Sequence, residues 1–339
     1  MLPVRRKAVW RNCCKTRQEE KMMNMEKEVY GLVDEWLGTV EYRVARSTYV
    51  KYEQLARNYI LPFFQSMACR ELDHSSLERF YTTISQKENT ARRPLSDGNR
   101  RTIFMILNNT LDYAYTSRAL DQKYYIKPGL TRSRRVVKVF SQEHQKKIED
   151  YILKHPDAYS LAVMLALFLG LRIGEICALQ WSDISFETAS LYVNKTVQRL
   201  KISGENGERH TQLLVSLPKS AASQRLLPIP AFLLEYLKHF PRREKGAYLL
   251  TNDTERPMEP RTLQYHYKKM LEQIGVPYLN FHCLRHTFAT RCVTLGWDMK
   301  TLSEILGHFD IKITMEYYFH SSFEYKQLQM NKIVPLSQN

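Results

Sequence analysis

The run from Tyr159 to Leu171, YSLAVMLALFLGL, leaves this 339-residue chain the fewest ways to fold. It is apolar at nearly every position, so a helix here has no face to offer water and must be surrounded by protein. A bilayer span needs about 20 such residues. The run is too short for that, and its place is therefore the middle of a globular domain. It breaks at Gly170, and a charged residue follows at once in GLRIGEICALQWSDI: Arg172. A guanidinium at the end of a buried helix is costly unless it meets an anion. Glu175, three residues on, can orient it. From this spacing alone, a structural Arg172–Glu175 pair and an arginine that holds an anionic ligand both remain open.

The domain around this helix opens at Ser141, whose hydroxyl can cap a helix with Gln142 and Glu143 in its first turn. After the GLRIGE run, alternation in Leu191, Val193, Thr196 and Val197, then in Leu213, Val215 and Leu217, then from Arg225 to Ile229 predicts three short strands. A loop with Gly204 and Gly207 and a turn over Pro218 to Ser223 join them. From about Arg261 the periodicity is helical again.

Upstream, Val29, Leu32, Val33, Trp36, Leu37 and Val40 mark one helix face. A second helix is expected from a Ser47 cap to Pro62, and a third from the Asp73 to Ser76 cap region. A fourth, from near Ser96, buries Ile103, Leu107, Leu111 and Ala114, with Arg100 and Arg101 heading its exposed face. The expected fold is thus mainly α, of the α+β kind: a four-helix N-terminal domain and a mostly helical second domain with a small three-stranded antiparallel sheet. The expected divisions are a basic tail over 1–24, a helical domain over 25–120, a basic linker over 121–138 and the second domain over 139–339. The tail carries Arg5, Arg6, Lys7, Arg11, Lys15, Arg17 and Lys21 and few apolar residues, so it has little to build a core from. It reads equally as a DNA-contacting arm or as a plain tail.

Charge narrows the partner. The chain has 50 Lys and Arg against 35 Asp and Glu, a surplus of +15, which favours a polyanion, nucleic acid first. The linker, with Lys123, Lys127, Arg132, Arg134, Arg135 and Lys138, can track a phosphate backbone or serve as a simple tether. The six cysteines form no CxxC pair, which fits reduced thiols in a cytoplasm, and the N-terminus lacks the apolar core of a signal peptide. No membrane span is expected, and the protein is read as cytoplasmic.

The chemistry gathers between Phe281 and His320, FHCLRHTFATRCVTLGWDMKTLSEILGHFDIKITMEYYFH. His282 and Arg285 stand at i and i+3 on one helix and can face one phosphate. His308 closes the helix-ending run SEILGH, and the pair Tyr317 and Tyr318 follows. Cations, imidazoles and a phenol without an acidic cluster suit an anionic substrate attacked without a metal. Each alone is ordinary; together they are hard to explain as packing.

The runs GLRIGE with Arg172, HCLRH with His282 and Arg285, LGH with His308 and YFH with Tyr318 resemble the tyrosine recombinase family, in particular the integrases of phages and conjugative transposons. The likeness runs over nearly the whole chain. It implies that 25–120 is a core-binding, SAM-like DNA-binding domain and that 139–330 belongs to the catalytic domain. It implies that Arg172, Arg285 and His308 stabilise the charge on a phosphodiester under attack, and that His282 accepts the nucleophile's proton. The nucleophile is Tyr318, because the family places a histidine two residues after it and His320 stands there; Tyr317 is the alternative. The family's lysine, which protonates the departing 5′-oxygen, falls on Lys219 in LPKSAASQRLLPIP, with Lys201 also in the hairpin region.

The resemblance implies a site-specific recombinase that cleaves and rejoins DNA through a 3′-phosphotyrosyl bond, to integrate or excise a mobile element, with no cofactor and no metal. Its partners would be double-stranded attachment sites, three further copies in a tetramer assembled through Phe323 to Val334, and accessory excision or DNA-bending factors. DNA contacts are expected from Lys51, Arg57, Arg100 and Arg101, from Arg132, Arg134 and Arg135, and from the Arg261 to Lys269 helix, with both domains closing on the duplex as a clamp. Many such integrases carry a folded arm-binding domain before the core-binding helices; here a basic tail of about twenty-four residues precedes them, which puts separate arm sites in question. Two other readings stay open at this point: DNA relaxation of the type IB topoisomerase kind, and a non-catalytic DNA-binding regulator.

Overall fold

The computed structural model describes residues 27–88, 94–129, 137–203, 209–217, 223–241, 244, 246–308, 310–318, 327 and 330–331. They fall into two compact units divided between Ser133 and Arg134.

Among the described residues, four α-helices make the first unit: α1 (Val29–Val40), α2 (Arg46–Leu55), α3 (His74–Gln86) and α4 (Asp97–Thr116). Their apolar faces share one core in which Trp36, Phe64, Phe80, Phe104 and Leu107 are buried. Two helix starts follow from their caps: Asp73 Oδ1 accepts from the Ser76 N–H at 2.7 Å, and Ser96 Oγ accepts from the Asn99 N–H at 3.3 Å. The α2 start differs from expectation. Ser47 lies inside the first turn, because the amides of Thr48 and Tyr49 already bond to the Ala45 carbonyl at 2.8 and 3.0 Å. Its end differs too: from Ala56 to Ile60 the helix widens into a π turn, with the Leu61 N–H reaching back to the Ala56 carbonyl at 2.9 Å. Pro62 follows, and its ring would clash with the i−4 carbonyl of a continuing α-helix. Beyond α4 the chain stays tied to it, since Asn108 bonds both the N–H and the carbonyl of Ile126 at 2.8 and 2.9 Å.

In the second unit the apolar run forms α6 (Ala158–Leu169), and α5 (Gln142–Lys154), α7 (Ile173–Ala178), α9 (Pro260–Gln273) and α10 (His282–Thr294) all pack on it. Wrapped this way, α6 has eight of its residues between Leu161 and Leu169 buried. Between α7 and α9 lie β1 (Ile184–Ser185), β2 (Ser190–Val193), β3 (Thr196–Ser203), β4 (Arg209–Ser216), β5 (Arg225–Pro228) and α8 (Ala231–Lys238). Two short helices, α11 (Met299–Leu306) and α12 (Ile311–Tyr318), follow α10.

A three-stranded antiparallel sheet is present, but its members differ from the three strands read in sequence. Its order is β1-β2-β5, with Leu191 opposite Leu227 and Val193 opposite Arg225, while β3 and β4 form a separate hairpin in the register Thr196↔Ser216. The segment from Leu191 to Val197, one strand by alternation, is therefore two strands with different partners. The hairpin is seated by Val197, which is buried, and by Arg199, whose Nε donates to Glu259 Oε2 at 2.7 Å at the start of α9. No helix among the described residues is long and apolar enough to cross a membrane. The four cysteines among them are buried free thiols.

Candidate active site

The site is built where α6 ends. Gly170 caps that helix in the left-handed conformation at φ 64°, and a Cβ there would lie 2.5 Å from the Phe288 ring and 3.0 Å from Leu306. Only glycine satisfies both the angle and the space. The chain then extends through Leu171 to Arg172, which stands at the N-cap position of α7. The Arg172 backbone N–H donates to Glu175 Oε2 at 2.9 Å, and its Nη1 donates to Oε1 at 2.7 Å. Gly174 lets α7 lie against β3, since a Cβ there would meet the Val197 carbonyl at 2.8 Å.

Three guanidiniums from three elements converge on the end of α11. Arg225 Nε donates to the Ile305 carbonyl at 2.6 Å, Arg285 Nη2 to the Leu306 carbonyl at 2.6 Å, and Arg172 Nη2 to the Gly307 carbonyl at 3.1 Å. The last carbonyls of a helix have no partner within it and carry the negative end of its dipole. Three consecutive carbonyls thus take three different arginines. Arg285 is also fixed at its other end, with Nη1 on the Gly170 carbonyl at 2.7 Å, and is 1% exposed. Arg172 keeps 35% of its side chain exposed.

One carboxylate balances the three cations. Glu175 is buried, which alone would raise its pKa, yet Arg225, then Arg172 and Arg285, hold it down at about 2. It is ionised at any working pH, and the cluster keeps a surplus of positive charge.

Two imidazoles border this charge. Gly307, at φ 62°, ends α11 in the left-handed conformation and delivers His308, whose Nδ1 lies 2.8 Å from Thr314 Oγ1 on α12. Loss of water, then Arg285, Arg172, Arg225 and His282, push the His308 imidazole down to about 3. His282, the first residue of α10, is exposed on its outer side and packs edge-on against His286, ring centroids 4.5 Å apart. Partial loss of water, then His286, Arg285 and Arg172, lower its pKa against a weaker opposing pull from Glu175.

Arg172, His282, Arg285 and His308, more than one hundred positions apart at their extremes, are thus brought into one cluster. The backbone of Tyr317 and Tyr318 forms the last turn of α12, the helix that starts three residues after His308; their side chains lie outside the described residues, as do Lys219 and His320. Arg132, Arg134, Arg135, the 1–24 tail and most of the Phe323 to Val334 segment also lie outside them.

Among the expected DNA contacts, Lys51 is exposed on α2 and Arg57 pairs with Glu53 at 3.0 Å. Arg100 and Arg101 do not head an exposed face: both are half-buried, and Arg100 bonds Asp97 at 2.8 Å and the Ser85 carbonyl at 3.3 Å. On α9, Lys269 lies 4.6 Å above the Tyr265 ring.

Sequence reasoning passed over Arg225 and Thr314. Arg225 was readable in part: in the alternation of β5 it shares the inward side with Leu227, an unusual place for a lone cation. Thr314 carried no such sign.

Arginines gathered at one helix end, with Arg172 partly exposed among them, can hold an anion such as a phosphodiester. Residues 138–325 match the phage integrase family and residues 30–85 match that family's N-terminal SAM-like domain, so the chain belongs to the phage integrase family, the tyrosine recombinases. It is a site-specific DNA recombinase. A tyrosine recombinase XerC-like protein of Caldanaerobacter subterraneus is 32% identical over 311 residues, 85% of this chain and 78% of its own. The fold is similar to that of the Tn1549 transposon integrase solved with a circular intermediate DNA, at a TM-score of 0.71 and 19% identity over 91% of this chain and 99% of that one. A lambda integrase dimer bound to a core site is similar at a TM-score of 0.61 and 16% identity, over 87% and 78% of the two chains.

Proposed function

We propose that this recombinase integrates or excises a mobile element by cutting each strand of an attachment site with Tyr318 and storing the bond energy in a 3′-phosphotyrosyl link. The observation that carries this reading is the convergence of Arg172, Arg285 and His308 on one helix end, with the Tyr318 helix starting three residues later.

In the cleavage step the Tyr318 phenol gives its proton to His282, and the phenolate oxygen forms a bond to phosphorus. An unperturbed phenol titrates near ~10, so it needs both an acceptor and nearby cations to react at neutral pH. The depressed His282 is neutral there and has its lone pair available. The bond from phosphorus to the 5′-oxygen breaks, and Lys219 supplies the proton this oxygen takes. Rejoining reverses the sequence with a 5′-hydroxyl from another strand.

The arginines divide the remaining task. Arg172, partly exposed, offers its donors to the non-bridging oxygens; Arg285, enclosed and bonded to two carbonyls, contributes a fixed charge close by. Loss of either should cost on the order of 10² to 10³ in rate. For His308 to donate to a phosphate oxygen its Nε2 must carry the proton, so the Thr314 hydroxyl donates to Nδ1.

We assign residues 25–120 as the core-binding domain, 121–138 as the linker and 139–339 as the catalytic domain. Lys51, Arg57, Arg100, Arg101, Arg132, Arg134 and Arg135 are the proposed backbone contacts, with the exposed Lys51 the strongest. Assembly as a tetramer on DNA through the C-terminal segment, help from accessory factors and a cytoplasmic setting complete the reading. The relatives are recombinases and integrases, which favours strand exchange over relaxation and over a regulator without catalysis.

A nicked suicide duplex carrying the attachment site, incubated with the protein without added metal, tests this. A covalent adduct is expected from the wild type and none from Tyr318→Phe. An adduct from Tyr318→Phe would move the nucleophile elsewhere, and none from the wild type on its cognate site would favour the regulator. Four-way junctions, rather than relaxed plasmid, are the expected products.

A further inference from the structure

One buried cation in the cluster has no role in the chemistry above. Arg225, 8% exposed at the head of β5, donates from Nη1 and Nη2 to Glu175 Oε1 and Oε2 at 3.2 and 3.0 Å. Its Nε donates to the Ile305 carbonyl at 2.6 Å, and Nη1 also reaches the Ser223 carbonyl at 3.1 Å. Each oxygen of Glu175 is therefore shared between Arg225 and a group of Arg172: Nη1 on Oε1, the backbone N–H on Oε2.

We propose that Arg225 is a positioning residue of the recombinase site, which through Glu175 and the end of α11 holds the Arg172 guanidinium in the orientation that meets the phosphodiester. The proposal rests on the reading of Arg172 as a phosphate-holding residue.

The geometry leads there in two steps. Arg172 is a long, partly exposed side chain, and orientation must be imposed on it at a cost in rotamer entropy. Its guanidinium is anchored at two points, Glu175 Oε1 and the Gly307 carbonyl. Arg225 holds the first anchor directly and the second through the Ile305 carbonyl two residues earlier. A planar fork can span both carboxylate oxygens and a carbonyl together; an ammonium cannot.

Charge supports the same role. Glu175 faces Arg172 from its own helix start, Arg225 from β5 and Arg285 from α10, with His282 and His308 at the edge of the cluster. Burial works against its ionised form, and Arg225 is the largest opposing influence. Without Arg225, Glu175 takes up a proton at a higher pH, and a neutral carboxyl releases Arg172.

The test is the single-turnover rate of covalent adduct formation on the nicked duplex, from about pH 5.5 to about pH 8.5, for wild type, R225M, R225K, E175Q and the double variant E175Q/R225M. R225M is expected to lose roughly 10- to 100-fold in rate at neutral pH, with duplex affinity within about threefold of wild type. Its rate relative to wild type should fall further as pH falls, while that of E175Q stays level. R225K should lie between R225M and wild type, and the double variant should be no slower than the slower single one. An R225M-to-wild-type ratio independent of pH, or a double-variant loss equal to the product of the single losses, overturns the proposal. If R225M does not fold, judged by circular dichroism, R225K, E175Q and their combination carry the same comparison, and independent losses overturn it. A wild type that forms no adduct instead removes the recombinase reading of the site, and the proposal with it.

Discussion

His308 is an imidazole that its neighbours keep neutral. Its folded value of about 3, against an ordinary 6.5, means that the unfolded chain binds the proton more readily. The stabilisation from keeping it neutral is complete above pH 6.5 and is lost as pH falls toward about 3. Glu175 acts in the same sense lower down: its contribution is present above 4.5 and is lost as pH falls toward about 2. The urea midpoint of the DNA-free protein should therefore decline in two overlapping stages on acidification; the depressed imidazoles of His282 and His286 share the upper one with His308, so His308→Gln should shrink that stage and leave the lower one in place. A midpoint that holds level down to about pH 4 in the wild type would contradict this. Among these residues, Arg172, His282, Arg285 and His308 were legible in the sequence because their spacing is a motif. Arg225 was legible only in part: alternation sets it on the inward side of its strand, but nothing in RLLPIP says that this side meets a carboxylate fifty positions upstream.

At the scale of elements, the bond between His308 and Thr314 joins the end of α11 to α12, the helix that carries Tyr318. Thr314 is fully buried, so Thr314→Val keeps its volume and removes the hydroxyl. The imidazole then loses its orienting partner, and cleavage should slow by about tenfold with DNA affinity unchanged, consistent with the usual cost of removing such a support. Single-turnover rates and a binding isotherm on the same duplex check the two halves of this expectation. Helices were the legible part of the fold, because a 3.6-residue period and a cap are local signals: Asp73, Ser96 and Ser141 all cap helices in the structure. Strands were legible only as strands. Alternation from Leu191 to Val197 runs on across Asn194 and Lys195, yet β2 pairs with β5 and β3 with β4, and the choice of partner is set by chain far away. The π turn before Pro62 and the hairpin seated on Glu259 were hidden for the same reason.

For the whole molecule, the surplus of 50 basic over 35 acidic residues predicts binding dominated by the phosphate backbone. On the function proposed above, the logarithm of the DNA association constant should fall linearly with the logarithm of salt concentration. Lys51→Ala, on an exposed part of α2, should weaken binding about equally on cognate and unrelated duplexes and reduce the slope by about 1. A loss confined to the cognate duplex would place Lys51 on a base edge instead. The carbonyls of Ile305, Leu306 and Gly307 set a different kind of constraint on the chain. Main-chain oxygens are the same in every residue, so the three arginines do not recognise which side chains stand there; they count positions. Half-buried Ile305 is open to exchange, Leu306 only to residues that fill its space, and Gly307 only to those that accept a positive φ. Adding or removing a single residue in the stretch is another matter, because each guanidinium would then find its neighbour's oxygen. This part of the molecule tolerates changes of spelling but not of length.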